Sequence, residues 1–268
     1  MPTPNKIQLV IFDWAGTTID FGCLAPSGAF VAAFAQRGVQ VSIAEARGPM
    51  GLHKKDHIRE MLRIPEIAGR WQSANSSAWT EADVQALYEI VTPMQVDAAR
   101  KYSELIPEVL PCIAELRKRG IKIAASTGYF HEAAQIVAEA GAKQGYIPDA
   151  NICADDVSAG RPAPWMIYRL MEQLNVYPPE AVVKVGDTVV DIQDGRNAGC
   201  WSFGVVNSSN EMGLSRTEFE ALNDGERDQR RNAIAKKYLM AGAHNILDSL
   251  EQLPFYIEQT NAAMRTLS

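Results

Sequence analysis

Two rhythms of apolar and polar positions divide this chain. Residues 7–12 form a short apolar run closed by Asp13 and Gly16, the pattern of a buried strand. From about 22 to 103 the rhythm is helical, with few β-branched runs. Pro26 opens and Gly38 closes one helical segment. Ser42 and Glu45 form a capping box, and Thr80 and Asp83 form a weaker one before a long helix reaching about 103. Beyond that, strands and helices alternate. An amphipathic helix at 107–120, basic in its last turn and stopped by Gly120, leads to a strand at 121–127. A helix at about 131–141, a strand at 151–155, a helix near 164–174, a strand at 181–187, a helix at 189–198 and a strand at 201–206 follow. The tail, 215–268, is mostly helical, with 243–247 as a last edge strand.

This alternation predicts an α/β fold with a Rossmann-like parallel sheet and crossover helices. The first strand is separated from its partners by about eighty helical residues, far more than a crossover needs. The expected organisation is therefore a core formed by 1–21 and 104–268, with a helical cap, 22–103, inserted after the first strand. Ligands of open parallel sheets bind at the carboxyl ends of the strands. Asp13, Thr127 and Asp187 fall there.

Composition narrows the function classes. With 268 residues and 47% apolar content the chain can bury a sizeable core. A net charge of -6 argues against a nucleic-acid partner. The start, MPTPNK, lacks the apolar segment of a secretory signal, and no apolar run is long enough to span a membrane. The four cysteines, 23, 112, 153 and 200, show no CxxC pair and no metal-ligand spacing. They read as reduced thiols, so a cytoplasmic location is expected. Cys23 lies close enough to Asp13 in sequence to border a site.

Asp13, Thr127, Arg161 in the AGRPAP loop, and Asp187 with Asp191 one helical turn later are individually weak signals. In this order they resemble the haloacid dehalogenase superfamily of phosphoryl-transfer enzymes. That resemblance implies Asp13 as the nucleophile, and a carboxylate can attack phosphorus to give an acyl phosphate. Asp13, Asp187 and the backbone carbonyl of Ala15 would hold Mg²⁺, a cation that favours hard oxygen ligands. Thr127, Gly128 and the forked donors of Arg161 would bind the phosphoryl group. Thr17 and Asp191 would support, Asp191 by holding the metal through water or by orienting its loop. Arg161 replaces the commoner lysine of the superfamily.

Ala15 departs from the superfamily's phosphatases, which usually carry aspartate two residues beyond the nucleophile. That aspartate protonates the leaving oxygen and later activates water. Either the enzyme is silent or slow, or its leaving group is not an oxygen. The segment RGPMGLHKKDH, 47–57, bears on this choice. If a helix starts near Met50, then Met50, Lys54 and His57 share one face with His53, and Lys55 points about 100° away. Such a stripe serves either a site or a solvated or dimer-facing surface.

FDWAGTTIDFG, GPMGLHKKDH, STGY, AGRPAPWM and KVGDTVVDIQDGRNAG together resemble the phosphonoacetaldehyde hydrolase, or phosphonatase, family, from the first strand to Gly199. The resemblance implies that Lys54 forms a Schiff base with the substrate aldehyde and that His57 and Met50 assist proton movement around it. An iminium two bonds from phosphorus would accept the electrons of the C–P bond, so no leaving oxygen needs an acid and Ala15 is accounted for. The lysine must be partly neutral, which burial or neighbouring cations achieve. Tyr129 borders the substrate or serves the core. The family also implies a homodimer through the cap and a role in degrading aminoethylphosphonate. Phe30, Val31 and Phe34 serve that dimer contact or the cap's own core. The alternative activity is that of a phosphate-monoester phosphatase; a silent binding protein on the same scaffold is a third reading. The base that activates water and the role of His53 are not assigned.

Overall fold

The computed structural model describes residues 6–267. Residues 1–5 and 268, which include nearly all of the MPTPNK start, lie outside the described residues. Six parallel strands form one sheet: β1 (Leu9–Phe12), β2 (Lys122–Thr127), β3 (Ala150–Cys153), β4 (Val182–Gly186), β5 (Trp201–Val205) and β6 (Asn245–Leu247). Their spatial order is β3-β2-β1-β4-β5-β6. The last three-residue strand is the edge strand that the tail pattern predicts, paired with β5. β1 and β4 are buried along their whole length, as strands covered by helices on both faces must be. Alternate side chains feed two cores. Val10, Phe12, Val183 and Val185 face one layer, and Leu9, Ile11 and Val182 face the other.

Between β1 and β2 run α1 (Leu24–Gln36), α2 (Ile43–Arg47), α3 (Lys54–Arg63), α4 (Pro65–Asn75), α5 (Glu81–Lys101) and α6 (Val109–Lys118). The first five build an apolar cluster of their own from residues such as Phe30, Phe34, Met61, Trp71 and Leu87. Phe30 and Phe34 are fully buried there, so they serve this helical core rather than an outward contact, while Val31 is partly buried against it. The capping box that opens α2 is formed: Ser42 N–H donates to Glu45 Oε2 at 2.7 Å, and Glu45 N–H donates to Ser42 Oγ at 3.2 Å. Val96 and Ala99, near the end of α5, join the core of the sheet. The remaining helices are α7 (His131–Lys143), α8 (Trp165–Gln173), α9 (Val189–Asn197), α10 (Arg216–Ala221), α11 (Asp224–Met240) and α12 (Leu253–Leu267). No helix among the described residues is long and apolar enough to cross a membrane.

One expectation fails locally. The helix carrying Lys54 does not start near Met50; α3 starts at Lys54 itself. Gly51 sits at φ +95°, a left-handed conformation that interrupts helical continuation. His53 then acts as the N-cap, its Nδ1 accepting the Lys55 N–H at 3.2 Å. The His53 side chain turns to Asp155, 3.1 Å from its Nε2, and does not line the pocket that holds Lys54.

Candidate active site

The strand order places β1 beside β4, where the connections leave the sheet in opposite directions. Asp13 directly follows β1 and Asp187 directly follows β4, so two carboxylates meet at the sheet's switch point. Thr127 is the last residue of β2, and Arg161 reaches in from the loop before α8. Gly16 makes the turn after Asp13 at φ +82°, and a Cβ there would lie 2.1 Å from Asp187 Oδ2. A side chain at position 16 would thus collide with the second carboxylate.

Charge is organised around Arg161, whose side chain is 1% exposed. Its Nη2 lies 2.7 Å from Asp13 Oδ1 and also donates to the Ser126 carbonyl at 2.7 Å and Ser126 Oγ at 2.8 Å. Its Nη1 lies 2.8 Å from Asp191 Oδ1. Lys184, wholly buried on β4, donates to the same Asp191 oxygen at 2.7 Å. Burial alone would raise the Asp191 carboxyl, but Arg161 and Lys184 outweigh it and hold the group below the usual carboxylate range. Asp13 remains raised by burial despite Arg161. Asp187 is pushed well up by burial and then by repulsion from Asp13 and Asp191. Only neutral donors reach it: the Asn210 N–H at 2.8 Å and Thr17 Oγ at 3.3 Å. Among the described residues no ion pair reaches Asp187.

That imbalance tests whether a metal fits. Asp13, Asp187 and Asp191 bring carboxylate oxygens within 4.8 Å of one another, all buried. The donor set is all oxygen and carries excess negative charge, which suits a hard divalent cation. Ala15 borders the same pocket.

From the other side the helical segment supplies Lys54, 3% exposed. Its Nζ stands 4.9 Å from the Tyr129 ring centroid and 5.8 Å from that of Phe30. Burial lowers its pKa from 10.5 to about 8, against the upward pull of Cys23 and Asp13. His57 stacks on Phe30 with centroids 3.8 Å apart. Its Nε2 lies 2.9 Å from the Ala46 carbonyl, which can only accept, so Nε2 carries the proton. The buried Nδ1 has no hydrogen-bond partner and is left as a bare acceptor. Burial, and then the charge of Lys54, keeps this imidazole neutral by pushing its pKa well below the ordinary value.

Most of the sequence-derived residues converge, while His57, Asp191 and Thr17 lie outside the lining of the pocket. Asp13, Ala15, Cys23, Met50, Lys54, Thr127, Gly128, Tyr129, Arg161 and Asp187 line one pocket, which is closed down to about 20 Å³. Thr127 Oγ accepts the Tyr129 N–H at 3.1 Å, which leaves its own proton free to donate. Lys55 points elsewhere, its Nζ 5.0 Å from the Tyr88 ring. A more open groove of about 960 Å³ runs between 48–64 and 159–164, but it contains neither Asp13 nor Lys54.

Residues 7–199 match the haloacid dehalogenase-like hydrolase family. A curated phosphonoacetaldehyde hydrolase of Syntrophobacter fumaroxidans is 43% identical over 260 residues, covering 97% of this chain and 94% of its own. One from Bacillus cereus is 44% identical over 254 residues, covering 95% and 96%. The crystal structure of a phosphonoacetaldehyde hydrolase-like protein from Oleispira antarctica matches with a TM-score of 0.95 at 38% identity, over 97% of this chain and 94% of that one. This chain belongs to the phosphonoacetaldehyde hydrolase family.

The motif pattern leaves out three residues packed around Arg161 and Asp191: Ser126, Lys184 and Asp194. Asp194 lies 3.6 Å from Arg161 Nε, without a hydrogen bond on either oxygen. Burial pushes its carboxyl up to about 7 against the pull of Arg161 and Lys184. A signal for Lys184 was present. A lysine inside the otherwise apolar run VVKVG of a buried parallel strand needs a carboxylate partner, and Asp191 and Asp194 follow at helical spacing.

Proposed function

We propose that this protein hydrolyses phosphonoacetaldehyde to acetaldehyde and phosphate. The observation that carries the proposal is the meeting of Lys54, partly neutral and framed by rings, with Asp13 in one pocket where Ala15 provides no acid. The neutral Lys54 amine adds to the aldehyde carbon, and loss of water gives the iminium. An oxygen of Asp13 then attacks phosphorus. The C–P bond breaks, its electrons move into the enamine, and the phosphoryl group passes to Asp13. Protonation of the enamine carbon and hydrolysis of the imine release acetaldehyde and regenerate Lys54. Water finally cleaves the acyl phosphate and frees Asp13.

Each neighbour has work in this scheme. His57 and Met50 take the roles that the family resemblance implies, assisting proton movement around the imine, with the neutral His57 ring offering Nδ1 as a transient acceptor. Arg161 and Thr127 orient the phosphoryl oxygens, while Ser126 and Asp191 hold Arg161 in place. Mg²⁺, held by Asp13, Asp187 and the Ala15 carbonyl, with Asp191 behind them, would neutralise the charge that otherwise repels the attacking carboxylate. Residues 22–103 act as a cap that brings Lys54 to the core. A homodimer through the cap follows from the family resemblance; sedimentation of the purified protein as a monomer at micromolar concentration would remove that element. Four free, buried cysteines support a cytoplasmic setting.

Incubation with phosphonoacetaldehyde and borohydride tests the central step. A reduced adduct mapped to Lys54 by mass spectrometry is the expected result, and full turnover without any adduct would end the Schiff-base mechanism. The alternative, a phosphate-monoester phosphatase, requires ester hydrolysis by the unaltered enzyme. That activity should be negligible with Ala15 in place.

A further inference from the structure

The segment that carries Met50 and Lys54 has no regular structure until Lys54, so something other than a helix must fix where Lys54 points. Close backbone approach does part of this. A Cβ on Gly128 would meet the Gly51 carbonyl oxygen at 2.7 Å and the Leu52 carbonyl oxygen at 2.9 Å. The segment therefore lies directly on the loop that follows Thr127. Contact of this kind permits the arrangement but does not hold it.

His53 supplies a directional bond at the right place. Its Nδ1 accepts the Lys55 N–H and so sets the first turn of α3, beginning at Lys54. With Nδ1 used as acceptor, the proton of the neutral ring lies on Nε2. That atom is 3.1 Å from Asp155 Oδ1, in the turn that follows β3. Asp155 is itself anchored, since its Oδ2 accepts the His131 N–H of α7 at 3.0 Å. The imidazole also stacks on Tyr88 of α5, with centroids 6.2 Å apart. Gly160, next to Arg161, comes within 3.4 Å of the His53 Cβ through the position its own Cβ would take. One side chain thus joins the start of the lysine helix, the sheet and the loop of the phosphoryl-binding arginine.

We propose that His53 and Asp155 form a latch between the helical segment and the core, and that His53 is a positioning residue for Lys54. The inference rests on the Schiff-base role of Lys54 for its consequence in catalysis, but the latch itself is a property of the free protein. Without the latch, the segment 48–54 leaves the core more often and Lys54 meets the aldehyde less often.

The test uses the full chain with His53→Ala, Asp155→Ala, the double variant, His53→Asn and His53→Gln. Each alanine variant should slow formation of the borohydride-trapped Lys54 adduct by about tenfold, the factor carried by one hydrogen bond to a charged group. The double variant should be no slower than either single one, because both remove the same contact. His53→Asn keeps an N-cap acceptor but is too short to span to Asp155, so it should match His53→Ala. His53→Gln, whose amide can still donate across the gap, should recover part of the rate. Hydrogen exchange of amides 48–54 should quicken in the alanine variants, while melting temperatures change little because both side chains are partly exposed. Unchanged exchange in this segment, or additive losses in the double variant, would overturn the latch. Absence of any adduct in the unaltered protein would instead count against the Schiff-base reading, and exchange, which needs no substrate, would still decide the latch.

Discussion

Lys184 and Lys54 are both withdrawn from water, at 0% and 3% exposure, yet they have opposite surroundings. Lys184 lies in the sheet with its Nζ on Asp191, inside a cluster in which Arg161 meets three carboxylates. Lys54 comes from the helical segment and faces the rings of Tyr129 and Phe30. The first setting puts a carboxylate directly on the ammonium; the second leaves desolvation largely standing and lowers the Lys54 pKa to about 8. The core side of the pocket is built to hold and balance charge. On the helical side the amine meets rings instead of carboxylates and is partly discharged.

Exchanging both lysines for methionine gives the largest contrast. Lys54→Met should abolish C–P cleavage, by roughly 10⁴-fold or more, as loss of a covalent catalyst does. It should also stabilise the protein, because a pKa lowered from 10.5 to about 8 corresponds to roughly 3 kcal/mol of penalty for the buried charge. Lys184→Met should destabilise it by about 3 kcal/mol, because it strips a buried carboxylate of one partner. Urea unfolding at pH 7 measures both. If both variants shift stability in the same direction, the contrast between the two lysines is wrong.

Removal of divalent metal divides the two sides next. With chelator, turnover should fall by about 100-fold or more, because Asp13 then faces the phosphonate without neutralisation. The Lys54 adduct should still form under borohydride, since that step needs only the helical side. Turnover unaffected by exhaustive chelation would remove the metal from the reading of Asp13, Asp187 and Asp191.

The acidity of Lys54 has a pH signature. Adduct formation should rise about tenfold per pH unit up to about pH 8 and then level off, as the neutral amine becomes the main form. Stability follows with a definite sign. The folded-state pKa lies below the unfolded one, so between about 8 and 10.5 the unfolded chain binds more protons and stability rises with pH. The advantage of Lys54→Met should therefore be full below pH 8 and shrink across that window. An adduct rate that still climbs steeply above pH 9 would show that burial does not discharge Lys54. The smallest effect is expected for Tyr129→Phe. It keeps the ring face near Lys54 and removes only the hydroxyl, so adduct formation should stay within about threefold.

Legibility in the sequence differed between these same two sides. Asp13, Thr127 and Asp187 each sit at or just past a strand end, and a parallel sheet collects such ends on one edge. Their order along the chain was therefore enough to bring them together. The stripe of Met50, Lys54 and His57 was found through helical spacing, although Met50 precedes the helix and reaches the pocket by way of the turn at Gly51. Met50 and Lys54 do line one pocket, but the helical stripe that grouped them with His57 does not exist, and His57 lies outside the lining. His53, placed on the same stripe by the same spacing, points instead to Asp155. Capping by a histidine ring is a weak sequence signal, whereas the Ser42–Glu45 box is a strong one and is formed.

The sequence by itself determined the sheet, its layered apolar faces, the long helical excursion after the first strand and the chemical types gathered at the strand ends. These follow from periodicity and punctuation, which act over a few neighbouring residues. Only the tertiary structure decided that Lys54 lies between two rings, that Nδ1 of His57 is the free nitrogen, and that Arg161 is shared among Asp13, Asp191 and Asp194. Burial and the charges that face a group come from segments far apart in the chain. They set protonation and orientation, and no local pattern carries them.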